Sequence, residues 1–210
     1  MRLSVCVAVA AALWATSPDA AELASLKAKV DAPGAREAIA RVAYAEAAGQ
    51  GDVGLAGVVF TVLNRLDSGA WGASIEAVLN APRQFEPVWR AGGDWRGLAP
   101  VAPTQRARIE VILNLALEGR LPDPTGGALY FQNPAIVAER ARSGSVSPDL
   151  VDFGGRRPSA VIGDHSFYRA SGAETFRPAG GAQGTPGHPG VRGLFVLESG
   201  EIAEDARLAP

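Results

Sequence analysis

Glu46 is the side chain with the most to offer chemically, and its spacing says where it sits. Ile39, Val42, Ala43 and Glu46 recur every three or four residues, which places them on one face of a helix that begins near Arg36. A carboxyl group that continues an apolar stripe faces inward or floors a cleft, where loss of water favours its protonated form. An acid of that kind can protonate a leaving oxygen near neutral pH, a glycosidic oxygen included. The competing reading is an ion pair with Arg41 or Arg65, because structural pairs perturb carboxylates as well.

Other chemistry-bearing residues come later in the chain. Gln84 and Phe85 open an aromatic-rich stretch and are read as a ligand-contacting pair or a loop anchor. Tyr130 and Asn133 suit hydrogen bonding to a polar ligand, although a half-buried Tyr with its hydroxyl at the rim is equally ordinary. Trp89 and Trp95 fit stacking on sugar rings or the packing of a long loop. His165 and His188 are the only histidines. With His188 in a Gly- and Pro-rich stretch, a two-histidine zinc site is not expected, and neither a metal nor a cofactor is called for. Ser166 beside His165 lacks the third partner of a nucleophilic triad. Cys6 is the only cysteine.

The elements that must position these groups can be read in outline. Residues 22–35 look like a flexible lead-in ending in Asp31-Ala32-Pro33-Gly34. A helix from about Arg36 ends at Gly49 and Gly51. A second runs from about Val53 to Leu66 with Asp52 as its cap, is apolar nearly all round, and so belongs in the middle of a core. Gly57 within it suggests close helix–helix contact. Ser74 caps a short helix through Leu79, and residues 83–100 read as a long irregular loop. Pro103 opens a helix that Gly119 stops. Short strands are expected at Ala128–Phe131 and across Ala160–Tyr168, with residues 135–158 of mixed character, a poorly ordered tail from Ser171 to Gly193 and one further short strand at Leu194–Leu197. The fold class is α+β and mostly helical, with a small hairpin or sheet of short strands.

Bulk properties bound the remainder. With 210 residues, 47% of them hydrophobic, the chain can bury one sizeable core. A formal charge of −2 and a pI near 5.7 leave no basic footprint for nucleic acid. Arg2, the apolar run Leu3 to Ala15 and the small residues up to Ala21 have the layout of a secretory signal peptide, with the run too short for an ordinary membrane span. The expected organisation is therefore a signal peptide at 1–21, a lead-in at 22–35, one domain at 36–169 and a tail at 170–210. The mature protein would lie in the periplasm or outside the cell, without stable membrane insertion.

Four segments in register sharpen this reading. Val42-Ala43-Tyr44-Ala45-Glu46-Ala47 with Val58 to Asn64-Arg65, then Gln84-Phe85, then Asp123 to Pro134, then Ile162 to Tyr168, resemble the SleB-type cell wall hydrolases, the spore-cortex-lytic enzymes and their Gram-negative relatives. The resemblance implies a lysozyme-like domain that cleaves peptidoglycan glycan strands between N-acetylmuramic acid and N-acetylglucosamine. It also implies that Glu46 is the catalytic acid. With a glycan as substrate, Gln84, Phe85, Tyr130, Asn133 and His165 are the residues read as contacting it, through its hydroxyl and acetamido groups among others, with a satisfied buried histidine the more ordinary reading of His165. Where relatives commonly carry a second Glu this chain has Gln50, which is expected to lie beyond the helix end and outside the chemistry. No second acid is fixed by spacing from Glu46. Asp123, Asp152 and Asp164 are candidates, and a lytic transglycosylase, which needs one acid, is favoured over a two-carboxylate hydrolase. The alternatives are a peptidoglycan-binding or scaffold module indifferent to Glu46, and an amidase or peptidase, for which the required nucleophile or zinc ligands are missing.

Overall fold

The computed structural model describes residues 18–170, with side chains from residue 21. Most of the expected signal segment and all but the first residue of the expected tail lie outside the described residues. The lead-in expected over 22–35 is instead largely helical. Helix α1 spans Pro18–Val30, with Val30 wholly buried and Leu26 packed on the core. Asp31 at its end pairs with Lys27 and with Arg36, the latter at 2.8 Å. Leu26 and Val30 are four residues apart, so a short apolar stripe on good helix formers is what orders this segment.

Helix α2 (Ala35–Ala47) carries the stripe read from the sequence, with Ile39, Val42 and Ala43 buried. A 3-10 turn, Ala48–Gln50, joins it to α3 (Gly51–Ser68). Helix α3 is the core helix: every residue from Gly54 to Leu63 is buried. It packs against α2 and against α6 (Pro103–Leu117). Asp52 is not its cap. Gln50 occupies that position, and Asp52 lies in the first turn and pairs with Arg108 of α6 at 2.6 Å.

Ser74 caps α4 (Ile75–Leu79) by accepting from the Ala77 amide at 3.1 Å. The stretch expected to be an irregular loop contains α5 (Glu86–Arg90) and a 3-10 turn at Trp95–Gly97. Within the stretch of mixed character lies a further helix, α7 (Pro134–Arg142). Its start is signalled by Asn133-Pro134: the Asn133 side chain accepts from the amides of Ala135 and Ile136 at 3.1 and 3.2 Å, and Pro134 needs no donor in the first turn.

The strands are β1 (Tyr130–Gln132), β2 (Ala160–Ile162) and β3 (His165–Tyr168). They form an antiparallel sheet in the order β1-β3-β2. What reads as one strand over 160–168 is therefore a hairpin turning at Gly163-Asp164. The sheet leans on α3 at Gly57, where an added Cβ would meet the Phe167 ring at 2.7 Å. The close contact expected of Gly57 exists, but with the sheet rather than with another helix.

Candidate active site

Glu46 stands one turn beyond Val42 and Ala43, near the C-terminal end of α2, and is half-buried. It borders a cleft of about 530 Å³ whose walls come from four places: α2 and its 3-10 turn (Glu46, Gln50), α5 (Glu86, Arg90), β1 into α7 (Phe131, Gln132, Asn133, Ile136) and the hairpin turn (Asp164, His165). One carboxylate oxygen of Glu46, Oε1, is shielded from solvent. Arg41, one of its two possible ion-pair partners, is held by Glu37 at 2.8 Å and by the Leu98 carbonyl at 2.9 Å.

Arg65 is more closely bound up with the site. It is buried, its Nε donates to the Leu129 carbonyl at 2.7 Å, and its guanidinium stacks between the rings of Trp71 (4.9 Å) and Phe85 (4.8 Å). Burial pulls its pKa down to about 10, against the opposing influence of Tyr130 and of Glu46. It is cationic at neutral pH, and its field reaches Glu46. Beside it, the Asn64 amide donates to Asp123 at 3.0 Å and to the Ala128 carbonyl at 3.1 Å. Asn64 and Arg65 thus fasten the turn before β1 to the core helix, and with it the cleft wall that β1 carries.

Asp123 organises that turn. Besides Asn64 it accepts from the Thr125 amide and hydroxyl (2.8 and 2.7 Å) and from the Gly127 amide (2.7 Å). Burial works to raise its pKa, but the hydrogen bonds from Asn64, Thr125 and Gly127 together hold it below the ordinary carboxylate value. Asp152 accepts from the Tyr168 hydroxyl at 2.9 Å. It begins the left-handed turn Asp152–Gly155, where φ is 50, 47, 79 and 76° in succession. Of the three candidate second acids, only Asp164 borders the cleft. Glu86, which periodicity does not single out, borders it too and pairs with Arg90 at 2.9 Å.

The expected substrate-contacting residues divide. Asn133 and His165 border the cleft with Glu46. Phe85 is wholly buried under Arg65 and packs on Phe131 at 6.3 Å, so it supports the cleft wall from behind. Gln84 is buried, with its amide turned to the Pro82 carbonyl at 3.4 Å. Tyr130 lies outside the cleft lining, edge-on to Trp71 at 5.6 Å and near Phe153 at 6.0 Å. Burial raises its hydroxyl pKa. Trp95 is buried beneath Arg41 and Arg96, which favours packing over sugar stacking.

Gln50 is the residue that sequence reasoning sets aside. It does lie past the end of α2, but the 3-10 turn folds it back into the cleft, one turn on from Glu46. The four-residue interval between them is the available signal. Its amide spans the site: Nε2 lies 3.2 Å from His165 Nδ1, and Oε1 accepts from the Asp164 amide at 3.3 Å.

Comparison with known proteins points to one family. Two curated relatives, both spore cortex-lytic enzymes, come from Oceanobacillus iheyensis and Halalkalibacterium halodurans. Each is 35% identical over 96 residues, covering 46% of this chain but only 31% and 26% of its own length. Two solved structures are similar in part. One is the catalytic domain of the germination-specific lytic transglycosylase SleB from Bacillus anthracis, at 24% identity and TM-score 0.45 over 64% of this chain and 93% of that one. The other is the catalytic domain of the Bacillus cereus SleB protein, at 25% identity and TM-score 0.46 over 64% of this chain and 88% of that one. The model of the family described as Cell Wall Hydrolase matches residues 49–168, which begins three residues after Glu46 and takes in Gln50, the β1 turn, Asn133 and His165. That match covers more than half of the sequence, and on it the chain belongs to the cell wall hydrolase family.

Proposed function

We propose that this protein cleaves peptidoglycan glycan strands between N-acetylmuramic acid and N-acetylglucosamine, as a lytic transglycosylase with Glu46 as its one general acid and base. The observation that carries this reading is the placement of the Glu46 carboxyl at the edge of an open cleft, with one oxygen shielded from water and the other groups of the wall largely polar. In the first half of the reaction, protonated Glu46 gives its proton to the glycosidic oxygen as the bond from that oxygen to the muramic C1 breaks. In the second half, the Glu46 carboxylate takes the proton of the muramic C6 hydroxyl. That oxygen bonds to C1 and closes a 1,6-anhydro ring. No water is consumed, and the enzyme returns to its starting protonation state.

The candidate second carboxylates favour this scheme over two-acid hydrolysis. A hydrolase sets a second working carboxylate about 5 to 10 Å from the first, across the scissile bond. Asp123 and Asp152 are committed to the turns they organise, Glu86 is held by Arg90, and Asp164 is exposed on a hairpin turn. A wall substrate also requires export, which fits the Arg2-led apolar run at the start of the sequence and a location in the periplasm or outside the cell.

Glu46→Gln tests the assignment. It should lower clearing of peptidoglycan in a zymogram by about a hundredfold or more, the ordinary worth of a general acid. Capture of the variant by insoluble sacculi should be unchanged. If wild-type protein and variant clear equally, Glu46 is not the acid; if the wild type does not clear at all, the binding-module reading takes its place.

A further inference from the structure

We propose that Gln50 is a positioning residue that fixes His165 as a neutral imidazole protonated at Nε2, so that the cleft holds a hydrogen-bond donor at that ring nitrogen. The assignment follows from the two ends of one amide. The Asp164 backbone N–H can only donate, so the atom of Gln50 it meets at 3.3 Å is the oxygen, Oε1. The other end, 3.2 Å from His165 Nδ1, is then the NH₂ group, which can only donate. Nδ1 must therefore offer its lone pair, and the ring proton resides on Nε2. Turning the amide over does not relieve this, because it sets two donors face to face at Asp164.

The packing around Gln50 points the same way. A Cβ added at Gly163 would fall 2.5 Å from Gln50 Oε1, and one added at Gly54 would fall 2.4 Å from Gln50 Cβ. Two glycines on different elements, the hairpin turn and α3, leave room for this side chain in this pose. Phe131 (5.0 Å) and Phe167 (6.2 Å) both pack near edge-on against the ring, and His165 itself is buried. A second proton on Nδ1 would cost either the Gln50 contact to the ring or the one to the Asp164 amide. Hydrogen bonding at Nδ1 therefore favours the form that carries its one ring proton on Nε2.

Among the described residues, the charged groups that share the cleft with His165 are Glu46 on α2, Glu86 and Arg90 on α5, and Asp164 in the hairpin turn. They act on the ring equally whether residue 50 is Gln or Glu, so exchanging that residue isolates its effect. Glu is close to Gln in shape but only accepts hydrogen bonds when ionised. The tautomer follows from the two contacts of the Gln50 amide. A part for the Nε2–H in placing the glycan rests on the activity proposed above.

The test is ¹⁵N NMR of the imidazole side chains in the purified protein. The sequence holds two histidines, so a His188→Gln variant assigns both signals. At neutral pH, His165 should show an unprotonated Nδ1 and a protonated Nε2 as one form. In the Gln50→Glu variant, Nδ1 should become protonated and the titration midpoint of His165 should rise by about one pH unit or more, the usual effect of an adjacent carboxylate. A wild-type His165 with its proton on Nδ1, or exchanging between both tautomers, would overturn the assignment. So would a Gln50→Glu variant with tautomer and midpoint unchanged. Neither readout requires catalysis, so failure of the proposed cleavage reaction leaves this result separately decidable.

Discussion

At the scale of single residues, the site is a set of side chains with one task each. Asp123 shows how strictly a carboxylate can be committed to structure. With four donors on its two oxygens, Asp123→Ala should cost about 2 kcal/mol in urea unfolding at pH 7, since it strands several turn donors. The sign of its pH dependence follows from its lowered pKa. The stabilisation is complete above the unfolded value of 3.8 and is lost as pH falls through the lower folded value, so wild type and variant should converge in strong acid. Glu46 is legible in the sequence because it continues an apolar stripe, which fixes its face of the helix whatever surrounds it. Gln50 is legible only as a four-residue interval from Glu46, because the helix ends between the two residues and helical spacing does not say that a 3-10 turn brings the chain back. Phe85 misleads in the other direction. An aromatic side chain looks alike in sequence whether it faces a sugar or, as here, lies buried under an arginine.

At the scale of elements, capping and close approach decide the outcome. Asn133, expected from the sequence to contact substrate, is a helix cap at the cleft edge, its Oδ1 engaged by two amides of α7. Asn133→Ala should lower stability by about 1 kcal/mol, as loss of a cap does, whereas Asn133→Asp keeps the accepting oxygen and should stay within about 0.5 kcal/mol of wild type. Thermal unfolding of the pair separates the cap from any role of the amide NH₂ in glycan binding. Gly57→Val places a branched side chain against the Phe167 ring and should destabilise by about 1 to 3 kcal/mol, read from the shift in denaturation midpoint. The long helices α2, α3 and α6 are visible in the sequence because each spans several periods of its pattern. Helix α5 has five residues and the neighbouring 3-10 turn three, too few to establish a period, so Pro and Gly dominate the reading of that stretch. Helix α7 is hidden because Asn-Pro reads as a stop, although the same dipeptide is a start.

At the scale of the whole molecule, one buried helix carries two jobs. Helix α3 supports α2, which holds Glu46, and through Asn64, Arg65 and Gly57 it also anchors β1 and the hairpin that form the opposing wall. The sequence announces α3 as a core helix but cannot announce the sheet. Tyr130 and Tyr168 pair across a long stretch of chain, and three- and four-residue strands have almost no periodicity of their own. The cleft is therefore a property of the assembled molecule, and the chemistry proposed for it is best judged by its products. The direct measurement is mass analysis of muropeptides released from purified sacculi by the wild-type protein. Muramic ends are expected in the 1,6-anhydro form, each lighter by one water than its hydrolysed counterpart. Release of ends wholly in the reducing form would contradict it, since that outcome requires water as nucleophile and a second group to activate it.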